Sequence, residues 1–141
     1  MIYLRDVNVW VALASRRHKH NKPAAAWMQS VGDNNVAFCR ITELGLLRLL
    51  TNAHVMGSDV FDVLGAWGLY DTIRADPPVV FLSERAEFDN RWSLARSQIA
   101  GGSNAVTDSY LAVFAKHVDA TVVTFDRGFK AVGGCSIALI P

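Results

Sequence analysis

The amino-acid sequence predicts an α/β fold of three layers, a parallel sheet of four to five strands with helices on both faces. Strand-like and helix-like segments alternate along the chain. Several of the strand-like runs, VAFC, VVFL and ATVVTF among them, are almost continuously apolar, as strands covered on both faces need to be. A length of 141 residues, 51% of them hydrophobic and 19% charged, suits one domain over residues 1–141 with a sizeable core.

Each element has its own signal. IYLRD reads as strand one and passes directly into a helix-like VNVWVALA. SRRHKHNK follows as a basic loop, and Pro23 suits the first turn of a helix carrying AAAWMQSV. Gly32 with Asp33, Asn34 and Asn35 punctuates before VAFCR, the second strand. Thr42 is a good N-cap for ELGLLRLL, whose leucines predict a mostly buried helix. Ser58 or Asp59 can cap a helix over DVFDVLGAWGLYDTIRA, which stops before Pro77 and Pro78. VVFL is the third strand, and Ser83 can cap a helix over ERAEFDNRWSLARSQ. Gly101 and Gly102 break the chain. Thr107 then caps DSYLAVFAKHV, ATVVTF is a fourth strand and SIALI a last one.

Composition narrows the function classes. The apolar runs are too short to span a bilayer, and the N-terminus lacks the basic, apolar and cleavage regions of a secretory signal, so a cytoplasmic protein with no membrane association is expected. Cys39 and Cys135 lie in apolar segments without ligand spacing and read as buried, reduced thiols. A net charge of +1 argues against a constitutive nucleic-acid coat. The charge is segregated, however. Residues 1–54 hold seven Lys and Arg against three acids, net +4, and the remainder seven against ten, net −3.

Most of the thirteen acidic residues fall on polar helix faces or in turns, where solvated charge explains them. Four do not. Asp6 and Asp126 end apolar strands, and Glu43 and Asp108 each follow a threonine at a helix start. In an open parallel sheet, strand C-termini and the following helix N-termini share one edge, so all four can converge on one cleft. Capping and helix-dipole chemistry alone would account for Glu43 and Asp108. Asp6 and Asp126 are harder to dismiss, since a carboxylate interrupting a buried strand needs a partner. Carboxylates gathered at one edge repel and raise one another's pKa unless a cation sits among them, and all-oxygen sites suit Mg2+ or Mn2+. Such an ion pair is the usual apparatus of phosphodiester hydrolysis.

DVNVW, RITELGLLRLLTN, TDSYLAVFA and VTFDRGF, in this order and spacing across nearly the whole chain, resemble PIN-domain ribonucleases, specifically the VapC-type toxins of bacterial toxin–antitoxin pairs. The resemblance implies a Rossmann-like sheet and a metal site of Asp6, Glu43, Asp108 and Asp126. It also implies Mg2+- or Mn2+-dependent cleavage of RNA, and a homodimer held inactive by a cognate antitoxin. Two stretches depart from the pattern. Arg5 stands where an apolar or small residue is expected, paired with an acid or reaching the cleft, and GGSNAV before Asp108 leaves substrate contacts there open.

Asn8 can bond a carboxylate or metal water, or simply cap a helix, and Thr42, Thr107 and Thr124 are caps or orienting hydroxyls. Arg127 can bind a phosphate bidentately or pair with an acid. Arg16, Arg17 and Lys19, in a segment reaching Lys22, are candidates for a basic lip on the RNA backbone, with solvated loop charge the competing reading. His18 and His20 alternate in a loop with no third ligand and make a weak metal pair; His54 and His117 read as structural. The four tryptophans read as packing residues. Two other classes stay open. A haloacid-dehalogenase-like phosphatase would need a second aspartate where Asn8 stands, and a PIN-like binding module without catalysis would not need all four acids.

Overall fold

The computed structural model describes residues 1–141, and its order of elements is the alternation that the sequence predicts. Five strands, β1 (Ile2–Arg5), β2 (Asn35–Phe38), β3 (Val79–Phe81), β4 (Thr121–Thr124) and β5 (Ser136–Leu139), form one parallel sheet in the order β3-β2-β1-β4-β5. The register pairs Leu4 with Ala37 on one side and with Val122 on the other. Helices α1 (Val7–Ala14), α2 (Asn21–Ser30), α3 (Arg40–Leu50), α4 (Ala53–Met56) and α5 (Val63–Arg74) lie between β1 and β3 in the chain. Helices α6 (Phe88–Ala95) and α7 (Ser103–His117) lie between β3 and β4.

This order is doubly wound. The chain steps outward from β1 to β3, then returns past both strands to β4. With right-handed crossovers the outward and returning helices must cover opposite faces. The core divides accordingly. Val36, Phe38 and Val79 pack with Trp10, Val11, Leu46, Leu50, Ala66 and Tyr70. Leu4, Ala37 and Val122 pack with Phe88 of α6 and with Leu111, Ala112, Phe114 and Ala115 of α7. The reversal falls between β1 and β4, whose C-terminal ends flank the crevice where such sheets bind ligands.

Several boundaries differ from the sequence reading, each for a local reason. Helix α3 begins at Arg40, capped by Cys39; Thr42 is its third residue, and its hydroxyl accepts from the Cys39 N–H at 3.0 Å. Helix α7 begins at Ser103, so Thr107 is no cap, and its hydroxyl donates to the Asn104 carbonyl at 3.1 Å. The long helix expected from residue 59 is capped by Asp62, which accepts from the Gly65 N–H, after the short α4 and a 3-10 turn. The helix expected from Glu84 starts at Phe88, because Glu87 sits in the left-handed region at φ 72°. Both cysteines are buried and free, and no helix is long and apolar enough to cross a membrane.

Arg5 neither pairs with an acid nor reaches the carboxylates. Strand alternation turns Leu4 toward α7, so Arg5 points the other way, beneath α1 and α2. It is 1% exposed, its guanidinium lying 4.4 Å from the Trp10 ring centre and 5.4 Å from that of Trp27, with Met28 Sδ as its polar contact. Trp10 in turn stacks on Phe38 at 3.9 Å. Cation–π contact stands in for a carboxylate. Burial, opposed by the charge of Asp76, lowers the Arg5 pKa to about 10, which leaves it charged at neutral pH.

Candidate active site

The site starts where β1 stops. Asp6 is the N-cap of α1: its Oδ1 accepts from the Val7 N–H at 2.7 Å, which fixes the carboxylate at the sheet edge. Its Oδ2 accepts from the Thr124 hydroxyl at 2.8 Å. Thr124 ends β4 and is fully buried, and its oxygen also accepts from Asn8 Nδ2 and from the Asp126 N–H, both at 3.1 Å. Asn8 Oδ1 accepts from the Phe125 N–H at 3.5 Å. One saturated hydroxyl therefore ties together the ends of β1, β4 and α1. Asp126 is held by a local turn in which its Oδ1 accepts from the Gly128 N–H at 2.8 Å.

The third carboxylate arrives from the other layer. Helix α7 runs antiparallel to the strand that follows it, so its N-terminal half lies at the same sheet edge, and Asp108 in its second turn joins Asp6 and Asp126. The three line one cavity of about 660 Å³. Burial, then the charges of Asp6 and Asp126, push the Asp108 carboxyl up to about 6. Burial also raises Asp6, with the Thr124 and Val7 hydrogen bonds holding it down and Asp126 raising it further. Burial and mutual repulsion therefore both disfavour the ionised forms here.

The long wall of the cavity is α3, from Ile41 and Thr42 through Leu44, Gly45, Arg48 and Leu49 to Asn52 just beyond it. Gly45 permits this placement. A Cβ there would stand 2.5 Å from Val7 Cγ2, so only glycine lets α3 approach α1 this closely.

The residues nominated by the sequence separate into two groups. Asp6, Asn8, Thr42, Asp108 and Asp126 line the cavity, and Thr124 braces it from beneath. Glu43 does not line it. It is 5% exposed and paired with Arg40, three residues earlier, at 2.5 Å, and burial together with the Glu43 charge pushes the nearby Tyr70 hydroxyl up. The helix start at Arg40 explains this, because it places a guanidinium on the same side one turn away. Arg127 is exposed, outside the cavity and without an ion-pair partner. None of Arg16, Arg17 and Lys19 lines the cavity; Arg17 instead faces Asp59 at 3.8 Å. The basic residue that does line it, Arg48, is not among those the sequence singles out. Its spacing four residues after Leu44 on an exposed helical stripe is the available signal.

The donor set fits a hard divalent cation. Every candidate ligand is a carboxylate, amide or hydroxyl oxygen, and mutual repulsion is already present. No three carboxylate, His or Cys groups converge closely enough to enclose an ion by themselves. A fit is therefore with an ion that keeps several waters and uses one or two carboxylates, as Mg2+ does.

A doubly wound parallel sheet with three repelling aspartates at its switch point defines an α/β domain with an acidic, oxygen-lined cavity at its sheet edge. The PIN domain family model matches residues 3–134. Ribonuclease VapC41 of Mycobacterium tuberculosis is 32% identical over 142 residues, covering 97% of each chain. Ribonuclease VapC29 of the same organism is 32% identical over 144 residues, covering 100% of this chain and 98% of that one. Among solved structures, VapBC2 from Rickettsia felis bound to a promoter DNA fragment superposes with a TM-score of 0.72 at 17% identity, covering 99% and 98% of the two chains. FitAcB from Neisseria gonorrhoeae gives 0.64 at 23% identity, covering 97% and 96%. The chain belongs to the PIN domain family.

Proposed function

We propose that the protein is the toxin of a type II toxin–antitoxin system, a Mg2+- or Mn2+-dependent endoribonuclease that acts in the cytoplasm as a homodimer and is inhibited by a cognate antitoxin. The observation that carries this is the aspartate trio in one cavity, with Asp108 and Asp6 both pushed up by burial and by neighbouring carboxylates. Relatives at 32% identity over nearly the full length are named ribonucleases. The antitoxin follows from the likeness to VapBC2 and FitAB, each solved bound to DNA.

In this reading one or two of Asp6, Asp108 and Asp126 would hold the ion directly, with water completing its shell, and the bound ion would lower the pKa of a water and stabilise the leaving oxygen. The protein's own part is orientation. Thr124 donates its one proton to Asp6 Oδ2, which favours the ionised form against the upward pull of burial and fixes the carboxylate, while Asn8 and the Asp126 N–H fill the hydroxyl's acceptor positions. Glu43 stands outside the cavity and could serve as a fourth ligand only after a movement of α3 that carries it in. Asn8 has both ends of its amide engaged, which disfavours the phosphatase alternative.

The test is cleavage of tRNA, rRNA and mixed single-stranded RNA by the antitoxin-free protein, with Mg2+, with Mn2+ and with EDTA, beside Asp6→Asn. Cleavage that needs the metal and Asp6 is expected. No metal-dependent cleavage of any of these RNAs would overturn the proposal.

A further inference from the structure

We propose that Arg48 is a substrate-positioning residue that holds a phosphate of the bound RNA strand away from the scissile one; this rests on the ribonuclease reading above. The cavity contains three acids and a single base, Arg48. A polyanion entering beside three aspartates is repelled except where positive charge is offered, and the metal supplies that charge only at the carboxylate end. Arg48 supplies it elsewhere. It is exposed and takes no part in the chain's two ion pairs, Arg17–Asp59 and Arg40–Glu43, so its guanidinium is free for a ligand.

Placement sets its role. Arg48 lies three residues beyond Gly45, which is seated against Val7 next to Asp6, about 4.5 Å of helical rise and roughly one nucleotide of a stacked strand. That separation suits a neighbouring phosphate better than the reacting one. Asn52 lines the cavity one turn further. Its Oδ1 is taken by the His54 N–H at 2.9 Å, so its NH2 remains to donate. Asn104 and Thr107 line the cavity from α7. A planar fork with five donors, in a cavity that also presents the amides of Asn52 and Asn104, is the chemistry that grips a phosphate bidentately. The basic loop at Arg16–Lys22 cannot substitute, because Arg16, Arg17, Lys19 and Lys22 all lie outside the cavity.

The experiment compares wild type, Arg48→Ala and Arg48→Lys in two assays. One is equilibrium binding of fluorescein-labelled tRNA and mixed-sequence single-stranded RNA, with and without Mg2+, over a salt series. The other is cleavage kinetics on the same RNAs. Arg48→Ala should weaken binding and raise KM about tenfold, with kcat within about twofold, the scale of one lost charge-assisted hydrogen bond. Its slope of log affinity against log salt should fall by about 0.7, the signature of one phosphate contact on a single strand. Arg48→Lys should keep the slope and recover part of the affinity. Unchanged affinity and slope in Arg48→Ala would overturn this inference and leave the nuclease reading standing. A fall in kcat with KM unchanged would overturn it equally. If wild type binds RNA but never cleaves it, the nuclease reading falls while the binding comparison still decides Arg48. If wild type neither binds nor cleaves, both fall.

Discussion

Replacing Asp108 with Asn should make the metal-free protein more stable, and only above mildly acidic pH. In the folded protein burial, Asp6 and Asp126 hold the Asp108 carboxyl at about 6, against its ordinary 3.8. The gap of about 2.2 pH units corresponds to about 3 kcal/mol at 1.36 kcal/mol per unit. Asp108 is only partly buried, and solvent screening reduces this to about 1–2 kcal/mol. The sign follows from linkage. A folded pKa above the unfolded one means that the unfolded chain gives up its proton first. Stability is then full below about 3.8 and is lost as pH rises through about 6. Urea unfolding of wild type and Asp108→Asn in EDTA, across pH 3.8 to above 6, should show a gap that opens within that window and stays constant beyond it. Adding Mg2+ should narrow or reverse the gap, because an ion bound at the carboxylates stabilises only the form that binds it well. A gap independent of pH, or an Asn variant less stable than wild type at neutral pH, would refute the account of the aspartates as a strained cluster.

Substitutions centred on three further residues, Gly45, Arg5 and Arg40, probe the frame. Gly45→Ala should cost about 1–3 kcal/mol, because its Cβ meets Val7 Cγ2 at 2.5 Å, and Val7→Ala in the same chain should restore most of the loss in thermal or urea melts. Arg5→Met should leave stability within about 1 kcal/mol of wild type, whereas Arg5→Ala should cost about 2–4 kcal/mol, because the residue's main contribution is filling the space beside Trp10 and Trp27. Equal losses from the two would show that the charge itself is required. Arg40→Ala strips the close partner from a carboxylate that is 5% exposed and should cost about 1–3 kcal/mol, with Glu43→Gln in the same chain recovering part of it.

What the sequence made legible was the part governed by local rules. Asp6 and Asp126 interrupt apolar strands, a conflict that one sequence displays by itself, and the sheet topology then makes the two strand ends neighbours. Asp108 is legible for a less direct reason. Thr107 looks like a cap but is not one, and the true start of α7 at Ser103 follows Gly102, which makes no side-chain cap bond. The aspartate still reaches the cavity because, in a helix running antiparallel to β4, the second turn lies near the sheet edge as the first does.

Glu43 shows where local rules fail. Whether a helical carboxylate faces a cleft or the helix behind it depends on the rotation of the helix about its axis, and that is fixed by non-local contacts. Here Gly45 seats α3 against Val7 of α1, and Tyr70 on α5 meets Glu43 from behind. The same rotation that turns Glu43 toward Tyr70 of α5 turns Leu44 and Arg48 into the cavity. The missed base and the displaced acid therefore have one cause. Any rearrangement that brought Glu43 to the ion by rotating α3 would carry Arg48 along the wall with it, so the electrostatics of the two ends of the cavity are mechanically linked through one helix.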